Sequence, residues 1–171
     1  MLSACGGGGH TTTGATVPRA TTTTDPYAVP ATIDIPYLNR VFVALDHING
    51  EATRLIVAAR RITPEAAELL HAVYADDEFK VQAEGWNNSI DAGLTTFRSV
   101  PGDRTTQVGH IRTVRPTCVA LDATRDYNAI RSQPVAPSEA LIALERHVAD
   151  QLNPTPWRIA SDLKSGTPKC E

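Results

Sequence analysis

Residues 107–114 read QVGHIRTV and residues 117–127 read TCVALDATRDY, with Arg115-Pro116 between them. Both runs alternate with a period of two, the signature of strands with one face turned to a core. In the first, Val108, His110, Arg112 and Val114 share one face, opposite Gly109, Ile111 and Thr113. In the second, Cys118, Ala120, Asp122, Thr124 and Asp126 oppose Val119, Leu121, Ala123, Arg125 and Tyr127. The first of these two sets reads as wet and the second as packed, with Arg125 its one polar member before the terminal Tyr127. Broken only by a proline, the two runs are expected to pair as antiparallel neighbours.

Upstream, the period changes. Leu38, Val41, Phe42, Leu45, Ile48, Ala52, Leu55 and Ile56 follow Pro36 at spacings of three and four, one apolar stripe of a long helix. Pro36 suits a first turn, where its missing N–H is no loss, and Gly50 marks a place to bend. Thr63-Pro64-Glu65 opens a second helix as cap, first residue and first-turn acid. Asp76 to Asp91 gives a third, with Asp76 or Asp77 as cap and Phe79, Ala83 and Trp86 inward. Downstream of the alternating pair, Ala140–Val148 fits a helix or a buried strand. Its place after Pro134 and Pro137, between other strand segments, favours the strand. Trp157-Arg158-Ile159-Ala160 to Leu163 closes the chain as a short strand. Helices first and strands after them define an α+β domain with an antiparallel sheet. It is expected over 36–171, which is long enough to bury its own core.

The chain has 171 residues, 16 basic and 19 acidic, for a net charge of −3. That balance excludes a nucleic-acid partner, which needs a basic face to displace counterions. No apolar run approaches the roughly 18 residues that span a bilayer.

The N-terminal region is of another kind. Leu2-Ser3-Ala4-Cys5 followed by Gly6–Gly9 resembles the lipobox of bacterial envelope lipoproteins, in which the signal peptide is cut before a cysteine that then carries lipid. The resemblance implies lipidation at Cys5, with residues 1–4 the remnant of a signal peptide. The charged and apolar regions of such a signal do not precede it here, so the resemblance implies a later-than-true start or a clipped chain. Residues 5–35, rich in Thr, Pro and Gly, read as a disordered tether. The implied location is the outer face of the cell membrane, reached through the lipid anchor. Export gives the cysteines a context: with Cys5 lipidated, Cys118 and Cys170 remain as an even pair, expected as a disulfide. The loop of about 50 residues makes it worth roughly 4 kcal/mol.

Leading helices at 36–75 packed on a C-terminal curved sheet resemble the cone-shaped fold of nuclear-transport-factor-2-like and SnoaL-like proteins. The resemblance implies an apolar cleft between helices and sheet, here lined by Leu45, Ile48, Leu70, Tyr74, Trp86 and Tyr127, which is either plain core or room for a lipid-like ligand. No phosphate loop, nucleophile elbow or metal-ligand spacing is present, so no metal and no cofactor are expected. Asp122 and Asp126 fall on the wet face. The function expected is therefore non-catalytic binding of an envelope protein or a small apolar ligand. The alternative is a cone-fold acid–base enzyme of cyclase, isomerase or dehydratase type, with its pocket around His110.

Overall fold

A computed structural model describes residues 25–166, 168 and 170. Cys5, the signal remnant at 1–4 and the tether as far as Thr24 lie outside the described residues.

Three helices come first: α1 (Ile35–Ala59), α2 (Pro64–Val73) and α3 (Asp76–Asp91). Four strands follow: β1 (Thr105–Arg115), β2 (Cys118–Asp126), β3 (Ser138–Arg146) and β4 (Trp157–Leu163). They form one antiparallel sheet in the order β1-β2-β3-β4. The α+β class, the helix-to-strand order and the strand at 140–146 agree with the sequence pattern. The fourth of these strands is needed to bury Ile142 and Leu144 between β2 and β4.

Local chemistry sets the helix ends. The Asp34 carboxylate accepts from Tyr37 N at 2.8 Å, capping α1 with Pro36 in its first turn. Thr63 caps α2 in the same way, its hydroxyl accepting from Ala66 N. Neither Asp76 nor Asp77 caps α3; Ala75 holds that position without a side-chain bond. The stripe of α1, from Leu38 through Phe42 and Leu45 to Ile56, packs with Leu70, Leu121, Ile142 and Leu144 in one core. The helix is continuous through Gly50. A Cβ there would lie 2.8 Å from Asp103 Cγ and 3.2 Å from Asp103 Cα, so the glycine admits the approach to β1.

Three sequence expectations need correction. The folded part begins before Pro36. Asp25 to Asp34 is described, and Tyr37 Oη donates to Tyr27 O at 3.1 Å while accepting from Trp157 Nε1 at 2.9 Å. Tyr37 and Trp157 are fully buried, so this bond chain seats the end of the expected tether on the core. The faces of β1 also differ, because its register shifts between Val108 and His110 and again between Ile111 and Thr113. An extra residue reverses the alternation beyond it. Val108 is buried, Ile111 packs against the core, and His110 is exposed. Finally, Cys118 and Ala120 are buried on the face of β2 expected to be wet, while Thr124 further along is exposed.

Cys118 and Cys170 are joined as a disulfide, with Cα atoms 5.5 Å apart. Arg115 Nη1 donates to the Cys170 carbonyl at 2.8 Å, so the chain end is held at two points. The 52-residue separation predicts that reduction, or Cys170→Ser, lowers the unfolding free energy by about 4 kcal/mol in the chain-entropy model. Urea unfolding with and without reductant measures it.

Candidate functional site

The interior polar cluster starts from α1. Asp46 and Asn49 follow Leu45 and Ile48 on the helix and face inward with them, both buried. A lone carboxylate there would cost several kcal/mol, and the start of β1 supplies its partners. Asp46 Oδ1 accepts from Arg104 Nε at 2.6 Å and from Thr106 Oγ1 at 3.0 Å. Asp46 Oδ2 accepts from Thr106 N at 2.7 Å. Arg104 Nη1 donates to Tyr74 Oη at 2.8 Å, and Tyr74 Oη donates onward to Asn49 Oδ1 at 3.0 Å.

A second buried guanidinium stands near the first. Arg125, on the core face of β2 and 1% exposed, pairs through Nη1 with Asp162 of β4. It is also hydrogen-bonded to the Tyr127 phenol, with Arg104 and Tyr74 nearby. Burial and then the positive charge of Arg104 press the Arg125 guanidinium below its ordinary value. For Arg104, burial also opposes the charge, but Tyr74 and Asp46 more than compensate and the value rises. Burial would raise the Tyr127 phenol, yet the guanidiniums of Arg125 and Arg104 outweigh it and the phenol is lowered. Glu78 of α3 is the opposite case. Burial raises its carboxyl against the pull of Gln82, Arg125 and Arg104, and Oε1 accepts from Gln82 Nε2 at 2.7 Å.

Above this cluster opens a cleft of about 840 Å³. Asn49, Thr53, Tyr74, Arg104, Tyr127 and Asp162 line its polar part. Trp86 and Phe97, with ring centroids 5.0 Å apart, Ile130 and Leu163 line its apolar part. Arg131 lies over the Phe97 ring at 4.8 Å and donates to Thr96 Oγ1 at 2.6 Å.

Of the six residues expected along a cleft, the structure brings Tyr74, Trp86 and Tyr127 to it. Leu45, Ile48 and Leu70 are core residues instead, because helix packing against the sheet leaves them no free surface. The cleft is also not apolar as expected, since Asp46, Asn49 and Thr53 bring polarity into the α1 stripe. His110, the centre of the alternative enzyme reading, is exposed on β1 and lines no part of this cleft. Its cross-strand neighbour Asp122 bonds Arg112 Nε at 2.6 Å on the outer face. Among the described residues, no group of His, Cys, Asp and Glu is placed to hold a metal, and no helix is long and apolar enough to cross a membrane.

Arg104, Asp46, Asn49 and Asp162 were missed by sequence reasoning. The available signal was three polar residues, Asp46, Asn49 and Thr53, at stripe positions of α1. Arg125 was visible as the polar exception on β2 but had no partner in view. No protein-family model matches this chain, and neither a curated protein nor a solved structure matches it.

Two outcomes follow from the cluster. Asp46→Ala orphans a buried guanidinium and costs about 3–5 kcal/mol, measured by denaturant unfolding. The Glu78 carboxyl is raised in the folded state, so its contribution favours folding below the unfolded carboxyl value of about 4.3 and is lost as pH rises through the folded value. Glu78→Gln is therefore more stable than the parent at pH 7, and the gain disappears below about pH 4. Paired urea titrations at the two pH values check the sign.

Proposed function

We propose that the chain is a lipid-anchored lipoprotein of the cell envelope whose α+β domain binds a small molecule in its cleft without catalysing a reaction. The observation that carries the binding part is the cleft itself: about 840 Å³ with an aromatic wall and a polar floor, within the size range of small-molecule sites. Three features support binding over catalysis. Asp162 of the lining and Asp46 beneath it are held in ion pairs with arginine, no histidine lines the cleft, and the other lining carboxylate, Glu139, is exposed to water. General acid–base work requires a titratable group free to take or give a proton at the substrate. We read the fold more finely as the cone of nuclear-transport-factor-2-like proteins. The helix-first order and the register shifts in β1 and β4, which curve a sheet, support that reading.

Support for the anchor comes from Leu2-Ser3-Ala4-Cys5 with its glycine run and from the Cys118–Cys170 pair, since disulfides persist in exported proteins. Stable anchoring takes more than one acyl chain. Expressed behind a lipoprotein signal peptide, the chain is expected in the detergent phase, with Cys5→Ala in the aqueous phase; equal partitioning of the two rejects the anchor.

The cleft is tested with the neutral fluorophore N-phenyl-1-naphthylamine. Saturable binding, weakened about tenfold in Trp86→Ala, is expected from the loss of one aromatic wall, worth about 1–2 kcal/mol. Unchanged binding in that variant, or none to the parent, rejects the cleft as the site.

A further inference from the structure

We propose that the floor of the cleft is a carboxylate-binding site, in which Arg104 receives the acid group of a small amphiphile, with Arg125 behind it adding positive charge, and the apolar part lies against Trp86 and Phe97. This rests on the reading of the cleft as a ligand site and names the ligand's class.

The first observation is an excess of donors. Arg104 Nη2, Arg125 Nε and Arg125 Nη2 are buried and have no acceptor among the described residues. Both side chains are at least nine-tenths buried, and an unmet charged donor in such a place is among the more costly defects a fold carries. The three nearby carboxylates do not serve them. Asp46 is occupied by Arg104 Nε, Thr106 N and Thr106 Oγ1. Asp162 is bonded to the other end of Arg125, at Nη1. Glu78 is bonded to Gln82, and burial holds its carboxyl toward the neutral form.

The second observation is the field at the floor. A buried phenol ordinarily resists ionisation, but Tyr127 is shifted the other way because the two guanidiniums outweigh both burial and Asp46. The two guanidiniums thus favour negative charge at the Tyr127 oxygen. Arg104 and Tyr127 both line the cleft, so the unmet Arg104 Nη2 faces the ligand space, while the Arg125 guanidinium, hydrogen-bonded to Tyr127, adds its charge from behind that lining. Guanidinium forks match a planar carboxylate in two parallel bonds. A phosphate dianion is disfavoured, since Asp46 and Asp162 already stand in the cluster. The remaining wall, Trp86, Phe97 and Ile130, sets the other half of the ligand: an alkyl chain or ring.

The test compares octanoate with 1-octanol, equal in length and differing in the acid, by displacement of N-phenyl-1-naphthylamine from the full chain at pH 7. Octanoate is expected to bind at least tenfold more tightly than octanol. In Arg104→Met the preference should fall to within about twofold, with octanol unchanged. Because that variant also strips a partner from Asp46, Tyr127→Phe serves as the second, expected to weaken octanoate several-fold and leave octanol as it was. A further readout is independent of folding energetics: tyrosinate absorbance at 295 nm, taken as the difference between the parent and Tyr127→Phe. Saturating octanoate should move this transition to higher pH, because a bound carboxylate cancels the field of the guanidiniums. Equal affinity for octanoate and octanol overturns the carboxylate site while leaving the cleft as a binding site. Failure of both to displace a bound fluorophore overturns the carboxylate site as well, and a fluorophore that does not bind overturns the cleft and the carboxylate site with it. An unmoved tyrosinate transition under saturating octanoate also overturns it, by placing the acid elsewhere.

Discussion

Asp46 is the residue on which the arrangement turns. A helix packed beside the first strand of a sheet faces a row of backbone N–H groups that no other strand will satisfy. Here α1 supplies acceptors to that row. Asn39 Oδ1 takes Val108 N at 2.9 Å and Asp46 Oδ2 takes Thr106 N at 2.7 Å, two turns apart on the helix and two residues apart on β1. The carboxylate that closes the edge must itself be neutralised, and Arg104, two residues before Thr106, does so. One buried ion pair thereby fixes the register between α1 and β1, blocks the open edge, and plants a guanidinium under the cleft. The close passage at Gly50 belongs to the same junction. Asp103 accepts from Arg54 at 2.8 Å and contacts His47 at 2.9 Å, drawing the approach to β1 over the helix where no side chain intervenes.

This explains which parts of the molecule the sequence discloses. Periodicity records how often a side chain meets the core, so the stripe from Leu38 to Ile56 and the alternation of Val119, Leu121 and Ala123 place α1 and β2 directly. It records nothing about insertions that shift phase. The irregularities of β1 after Val108 reverse its faces, and His110, which shares a sequence face with Val108, is turned to solvent. Composition misleads similarly at the tether. Tyr27, Ile33 and Ile35 sit in a segment rich in Thr, Ala and Pro, yet the Tyr27 carbonyl completes the bond chain from Trp157 through Tyr37, and the two isoleucines pack on the core. A single side chain with a buried partner outweighs the average character of its neighbours.

The site was less legible than the fold because its residues are polar groups in apolar positions. Asp46 and Asn49 interrupt the stripe of α1, and Arg125 interrupts the inner face of β2. Each alone looks like an exception to a pattern. Their meaning lies in pairings across 58 residues for Asp46 with Arg104 and 37 for Arg125 with Asp162. The first spans α2 and α3 and the second two turns of the β-meander, so the topology must be known before the partners can be matched. Tyr74, Trp86 and Tyr127 were accessible because aromatic residues at element ends are expected near a cleft whatever its polarity.

The fold is anchored unevenly. Away from the cleft, Asn153 ties the turn before β4 to α2: its Nδ2 donates to Ala72 O at 2.7 Å and to Trp157 O at 2.9 Å, and its Oδ1 accepts from Thr155 N and Thr155 Oγ1. The disulfide fastens the chain end to the start of β2. The cleft wall is built more lightly. Within α3 the one buried residue is Glu78, while Phe79, Trp86 and Ile90 are half-buried against the core. An element with little buried apolar area opens at lower free energy than the core it rests on. Trp86 and Gln82 line the cleft from this element, whereas Arg104 and Asn49 come from the rigid junction of α1 and β1. A polar floor fixed by ion pairs beneath a wall held by partial burial lets the floor keep its geometry while the wall adjusts to the shape above it.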